Sequence, residues 1–290
     1  MREPGVIGAR WPGFLTKQLI AELSSTISAA GAAILATRRA SLNVRAKADE
    51  SPVTSADHAS EALMLEGVAR VLPGIPVISE EAGCPHSNIS GMFVLIDPLD
   101  GTRELLAGRD EFTINLAVIE GGRPQLGIIA APARGLIWRG IAGAGAERLR
   151  LAAGDPASSA RDQVDIRTRP CPQSGRVALV SRSHLDAKTE ALLARLPLAR
   201  RVACGSAIKF CLLAQGEADI YPRLSTTCEW DIAAGEAIIS AAGGLMTTPA
   251  GTALVYGQID REFRVPGFMA WGDPRAVAAL DVGRRTACDR

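Results

Sequence analysis

The chain has 290 residues, 47% hydrophobic and 22% charged, which suits a globular protein of one large domain or two closely packed ones. Lys and Arg total 32 against 31 Asp and Glu, so the basic excess of a polynucleotide binder is absent, while a small anion needing only a local basic pocket stays open. The six cysteines include no CxxC pair, which excludes that metal or redox motif and favours reduced thiols over a disulfide framework.

The opening MREPGVIGARWPGF has no apolar run behind Arg2 and is unlike a signal peptide. Nowhere do 18 apolar residues run without a charge, so no transmembrane helix is expected. Residues 14–38 are predicted to form a helix, because Leu15, Leu19, Ile20, Leu23, Ile27 and Ala30 recur at steps of three and four. A polar stretch over 47–55 follows. Thr54 or Ser55 then caps a second helix, which runs to Leu72 and stops at Pro73-Gly74.

Residues 75–79 read as a short strand, and the wholly apolar 92–96 as a buried central one that ends abruptly at Asp97. Strands at 112–119 and 126–131 are joined by Glu120-Gly121-Gly122-Arg123, a hairpin pattern, and 136–141 continues that sheet. Residues 143–161, rich in Ala, Gly and Ser, read as a connector. Beyond it strands at 177–181, 199–203 and 218–221 alternate with helices at 187–196, 206–215 and 231–242. The expected division is an α+β domain over 1–150 and an α/β domain over 151–290.

Acidic residues cluster at element ends, where a core pattern would not place them. They are Glu80-Glu81 after a strand, Asp97-Pro98-Leu99-Asp100-Gly101-Thr102 after the buried strand, and Asp231 at the start of an apolar helix. Each alone has a plain structural explanation: a solvated loop, a capped surface turn, an N-cap. Together they suit a hard divalent cation, which takes oxygen ligands and relieves the repulsion between close carboxylates. Thr102, at a helix start, would also present backbone N–H groups to a phosphate oxygen.

These three motifs, in this order and spacing, resemble the signatures of the lithium-sensitive, inositol-monophosphatase-like phosphatase superfamily, over roughly residues 15–268. Further segments resemble its 3'(2'),5'-bisphosphate nucleotidase branch: Lys47-Ala48-Asp49, Ser51-Pro52-Val53-Thr54, Ser181-Arg182-Ser183-His184, Gly205-Ser206 with Lys209-Phe210-Cys211, Tyr221-Pro222-Arg223 and Pro266-Gly267-Phe268. The resemblance implies a layered αβαβα sandwich of the inositol-monophosphatase/fructose-1,6-bisphosphatase type. It implies two Mg²⁺ ions, one on Glu80, Asp97 and the Leu99 carbonyl, one on Asp97, Asp100 and Asp231, and room for a third near Glu80. Asp49 would pair with the Thr102 hydroxyl to orient the water that attacks phosphorus, with Glu80 beside them in the catalytic group. Leu99, Asp100, Gly101, Thr102, His184, Ser206, Lys209, Arg223 and Asp231 would contact substrate. Arg103 stands where the family often has Lys, and the tail over 270–290 passes the usual end.

Inositol-phosphate members carry a Glu seven residues before the last metal Asp; here Leu224 holds that place, after Arg223. The expected substrate is therefore a bisphosphorylated adenine nucleotide, 3'-phosphoadenosine 5'-phosphate, cleaved to AMP and phosphate in sulfur assimilation. Ser206, Lys209 and Arg223 would clamp the phosphate that is not cleaved. Two alternatives stay open: a broader inositol or sugar phosphatase, and a nucleotide-binding regulator without turnover. The expected setting is the cytoplasm, as a monomer or homodimer, with peripheral attachment to the inner face of the membrane open. Inhibition by Li⁺ is also implied. Taken singly, Lys209 and Arg223 fit a solvated helix face and a strand flank equally well, His184 fits a loop histidine, and Trp138, Trp230 and Trp271 look structural.

Overall fold

The computed structural model describes residues 16–40, 44–46, 52–84, 89 and 91–277. Asp49, Lys47, Ala48, Ser51 and the tail beyond 277 lie outside the described residues. Helices α1 (Lys17–Ala40) and α2 (Ser55–Val71) come first, with the paired strands β1 (Val44–Ala46) and β2 (Pro52–Thr54) between them. Thr54 caps α2, and Asp57 completes the capping box by accepting from the Thr54 N–H. Strands β3 (Val77–Ser79), β4 (Met92–Asp100), β5 (Thr113–Glu120), β6 (Arg123–Ala131), β7 (Leu136–Ile141), β8 (Gly145–Arg150) and β9 (Arg161–Ile166) follow in that spatial order as one seven-stranded sheet. The five-residue helix α3 (Thr102–Leu106) links β4 to β5.

The second half contributes β10 (Arg176–Ser181), α4 (Ala187–Ala194), β11 (Leu198–Cys204), α5 (Ile208–Ala214), β12 (Ile220–Arg223), β13 (Thr227–Cys228), α6 (Glu229–Ala241), β14 (Leu245–Thr247), β15 (Arg264–Val265) and β16 (Phe268–Trp271). Its five-stranded sheet has the order β11-β10-β12-β16-β14, parallel among the first three and antiparallel around β16. Strands β13 and β15 form a separate pair.

Alternation along the strands sorts the layers. Val94, Ile96, Leu116, Val118 and Ile128 pack under α1 and α2, with Leu23, Ile27 and Met64. Phe93, Leu95, Ala117, Ile119 and Ile129 face the other way, against Phe210 of α5 and Ile232 and Ile238 of α6, which also cover Leu179 and Phe268 of the small sheet. Leu193 of α4 packs on the far side of that sheet with Val180, Ile220 and Trp271. The result is the expected five-layer αβαβα sandwich. Helix α1 is long and apolar enough to cross a bilayer by composition, but Leu23, Ile27, Ala30 and Ile34 are spent in the outer core.

Two expectations change. Residues 143–161 are not a bare connector, because they contain β8 and lead into β9, so the large sheet runs past residue 150 to Ile166. Strand β9 is a polar sheet edge, exposed from Arg161 to Asp165, and so carries no apolar alternation to reveal it. The halves also share a core. Helix α6 lies so close to β6 that a Cβ on Gly127 would sit 2.3 Å from the Ala234 carbonyl oxygen, so only glycine admits the helix there. That close approach delivers the N-terminus of α6, with Asp231, to the end of β4.

Candidate active site and metal centre

Strand β4 does not stop at Ile96. Its pairing to β5 resumes beyond Asp97, with Asp97 opposite Asn115 and Asp100 opposite Thr113. Pro98 and Leu99 thus face the single residue Ile114, a one-residue bulge. Residues three apart on an unbroken strand point to opposite faces. The extra residue in the bulge returns Asp100 to the face of Asp97, while Leu99 turns into the outer core. Pro98, which has no N–H to pair, is tolerated at this position. The Leu99 N–H closes the turn on Asp97 Oδ1 at 3.0 Å. Gly101 then takes φ 94°, and a Cβ there would lie 3.1 Å from the Glu111 carbonyl oxygen. Glycine is the residue this crossing accepts.

Carboxylate oxygens of Glu80, Asp97 and Asp231 lie within 4.8 Å of one another. Burial pushes the Asp97 carboxyl well above the ordinary range, and Glu80, Asp100 and Asp231 push it the same way. Burial, then Asp231, raises Asp100 to about 6, against the opposing pull of Lys209, Ser206 and Arg223. One Asp231 oxygen, Oδ2, already accepts from the Thr227 hydroxyl and the Cys228 N–H. These converging acids form an oxygen donor set that fits Mg²⁺, which relieves the repulsion between them.

A polar face on α2 holds the segments that carry these acids. Asp57 Oδ2 accepts from the Thr54 N–H and hydroxyl, both at 2.7 Å, and Oδ1 accepts from the Thr102 hydroxyl at 3.1 Å. One turn on, the Ser60 hydroxyl donates to the Pro98 carbonyl in the bulge at 2.6 Å. Glu61 accepts from the Ser79 hydroxyl at 2.6 Å and the Ala82 N–H at 2.8 Å, and so fixes the loop bearing Glu80. The sequence reading missed all three residues. It gave the Thr102 partnership to Asp49, which lies outside the described residues; among the described residues the carboxylate that meets the Thr102 hydroxyl is Asp57. A signal existed: Asp57, Ser60 and Glu61 fall on the buried stripe of α2 with Ala56, Met64 and Val68. Polar residues on a stripe that periodicity reserves for apolar ones need partners.

The opposite wall is cationic. Lys209 is buried, not solvated. Its Nζ donates to the Cys204 and Ser206 carbonyls and lies 5.3 Å from the Tyr221 ring centre. Arg223 makes two long contacts, Nε to Ser225 Oγ and Nη2 to the Thr226 carbonyl, each 3.3 Å. His184 is exposed at the surface, yet partial desolvation of its ring lowers its pKa, and the nearby Arg223, Arg103 and Lys209 lower it further. Ser206 adopts φ 54°, and its hydroxyl meets that of Thr113. Glu111 secures this wall by accepting two bonds from Arg182 and one from the Gly205 N–H. Tyr221 stacks with Phe210 and Phe268 in the core beneath, and Trp138 and Trp271 are buried.

Glu80, Asp97, Leu99, Asp100, Gly101, Thr102, His184, Ser206, Lys209, Arg223 and Asp231 all line one cavity, together with Arg103. Asp49, the other residue expected at the site, lies outside the described residues. A cavity acidic on one wall and basic on the other can hold a divalent cation and an anion side by side.

Comparison with known proteins supports the same grouping. The profile of the inositol monophosphatase family matches residues 16–270. The 3'(2'),5'-bisphosphate nucleotidase CysQ of Escherichia coli strain K12 is 36% identical over 230 residues, 78% of this chain and 88% of that protein. CysQ of Salmonella typhimurium is 38% identical over 226 residues, 77% of this chain and 86% of that protein. Among solved structures, CysQ from Bacteroides thetaiotaomicron, described as a bacterial member of the inositol monophosphatase family, superposes with a TM-score of 0.71. It is 28% identical, with 89% of this chain and 97% of that one covered.

Proposed function

From the premise that the chain belongs to the inositol monophosphatase family, we propose that it is a Mg²⁺-dependent phosphomonoesterase acting on 3'-phosphoadenosine 5'-phosphate, releasing AMP and phosphate. The observation that carries the substrate choice is the cationic wall. Arg103, His184, Lys209 and Arg223 converge on the cavity that also holds the acids. A single phosphate beside the metal ligands does not require so much positive charge; a second, retained phosphate does. Leu224 packs with the apolar core of the small sheet, so it offers no acceptor for a sugar hydroxyl. The relatives named as bisphosphate nucleotidases agree with this choice.

Glu80, Asp97, the Leu99 carbonyl, Asp100 and Asp231 would hold the metal. When bound, Mg²⁺ supplies an acidified water and neutralises charge on the phosphoryl group. The protein's own part is positioning. Asp57 accepts from the Thr102 hydroxyl, which leaves the Thr102 oxygen lone pairs turned outward to take a proton from the attacking water. Backbone N–H groups at the start of α3 have no intrahelical partner and can meet a phosphate oxygen. Helix α3 is a single turn, so this contribution is one of local hydrogen bonds more than of a macrodipole. Lys209, held by two carbonyls, and Ser206 would fix the distal phosphate, with Arg223 and His184 at the rim.

A phosphate-release assay with and without Mg²⁺ tests the proposal on 3'-phosphoadenosine 5'-phosphate, inositol 1-phosphate and fructose 1,6-bisphosphate. The nucleotide is expected to give the highest kcat/KM, and only with metal. A tenfold preference for inositol 1-phosphate would overturn the substrate, and no turnover of any of the three would favour the regulator.

A further inference from the structure

A buried amide without a partner lies beneath the acids. Asn115 is 1% exposed, and neither Nδ2 nor Oδ1 finds a hydrogen-bond partner among the described residues. Leaving a buried polar group without a hydrogen bond is destabilising. In a strand whose neighbours on the same face are Ala117 and Ile119, an apolar residue would avoid that cost.

The register shows what the amide is next to. Asn115 stands directly across from Asp97, so the two side chains share a face, and such cross-strand neighbours have Cβ atoms about 4.5–5.5 Å apart. Two residues earlier Thr113 stands across from Asp100. Each acid of the bulge thus has a polar neighbour on β5. The Thr113 hydroxyl is engaged with Ser206, whereas the Asn115 amide is idle. Asp97 accepts one hydrogen bond among the described residues, from the Leu99 N–H on Oδ1. Asn115 is not part of the cavity wall, so it cannot reach substrate.

We propose that Asn115 is a positioning residue for the metal centre, its Nδ2–H steadying the Asp97 carboxylate from behind when a divalent cation is bound. This rests on reading the acidic cluster as a Mg²⁺ site. Carboxylates that ligate metals are themselves held by hydrogen bonds from outside the coordination sphere, and losing such a partner weakens metal affinity. An amide suits the place. It offers a donor to an acceptor-only carboxylate and adds no charge to a cluster already crowded with acids.

Asn115→Leu tests the role, because leucine has the same branching and heavy-atom count without the donor. Two measurements are made on the purified full chain: Mg²⁺ affinity by isothermal titration calorimetry and melting temperature without metal. The expected result is a Mg²⁺ Kd raised roughly 10- to 100-fold, with a metal-free melting temperature equal to or above that of the native chain. A structural role alone predicts the reverse, a changed melting temperature with Kd within threefold, and that result overturns the proposal. If the leucine variant does not fold, Asn115→Ala is read by the same two numbers. Absence of saturable Mg²⁺ binding by the native chain would instead overturn the metal site itself, and the positioning role with it.

Discussion

The two walls of the cavity are built differently. On the acidic wall Asp97 is buried and Glu80, Asp100 and Asp231 are half-buried, and a strand register, a bulge and the polar face of α2 behind them set their segments through hydrogen bonds of 2.6–3.1 Å. On the cationic wall only Lys209 is buried; Arg103 and His184 are exposed, and Arg223 is held by contacts of 3.3 Å. A wall that must place a water and a cation to within a fraction of an ångström is over-determined by its scaffold. A wall that grips a flexible ester can leave its charged tips free until the ligand orders them. Under the proposed function, chemistry belongs to one side and recognition to the other, and each assignment can be broken separately.

The largest effect is expected at Asp57. Asp57→Asn keeps the shape of the capping box but replaces the carboxylate that takes the Thr102 proton. Steady-state kinetics should show kcat lower by roughly 10²–10⁴-fold, the range for losing a positioned proton acceptor. Nucleotide affinity, measured by calorimetry with metal present, should stay within about threefold. A normal kcat would remove Asp57 from the mechanism and return attention to Asp49.

Arg223→Ala addresses recognition. Losing one charge-assisted bond costs about 1.5–3 kcal/mol, so KM for 3'-phosphoadenosine 5'-phosphate should rise roughly ten- to a hundredfold with kcat little changed. A substrate without the second phosphate, 3'-AMP, should be almost indifferent to the substitution. Equal losses on both substrates would mean that Arg223 supports the fold of the wall and does not bind the distal phosphate.

What the sequence disclosed follows the same divide. Motif residues at element ends were legible because carboxylates and cations stand out against an apolar background. So Glu80, Asp97, Asp100, Asp231, Lys209 and Arg223 could be named without coordinates. The layer order followed from the resemblance, and the apolar strands from periodicity. Strand β9 was not legible, because an exposed edge carries no alternation; nor was β16, a fully buried four-residue strand beyond the last helix, which has none either. The bulge was invisible for a different reason. It is a property of pairing between β4 and β5, and no residue count along β4 alone reveals that Asp100 rejoins the sheet. Asp57, Ser60 and Glu61 were readable in principle, since a helix that buries three polar residues in its apolar stripe must satisfy them somewhere. Asn115 could be recognised only once its lack of partners was known.

The last effect is read on stability alone and sharpens the contrast from outside the cavity. Helix α6 buries Glu236, which accepts a hydrogen bond from the Tyr256 hydroxyl, and burial raises its pKa to about 7 despite that bond and the nearby Arg123. The folded state therefore binds a proton more tightly than the unfolded chain, whose Glu titrates near 4.3. Between those two values the folded state carries more protons, so stability falls as pH rises and levels off above about 7. Glu236→Gln keeps an acceptor for Tyr256 and removes the charge. In urea denaturation with EDTA present, the variant should gain on the native chain as pH goes from 5 to 8, by up to ~3 kcal/mol. The acids of the metal site contribute the same sign of slope to both chains and cancel in the difference. Parallel stability curves would show that Glu236 stays charged in the fold through some group other than Tyr256 and Arg123. A gain confined to stability, with kcat and KM unaltered at pH 8, is the outcome that separates this buried acid from those on the chemical wall.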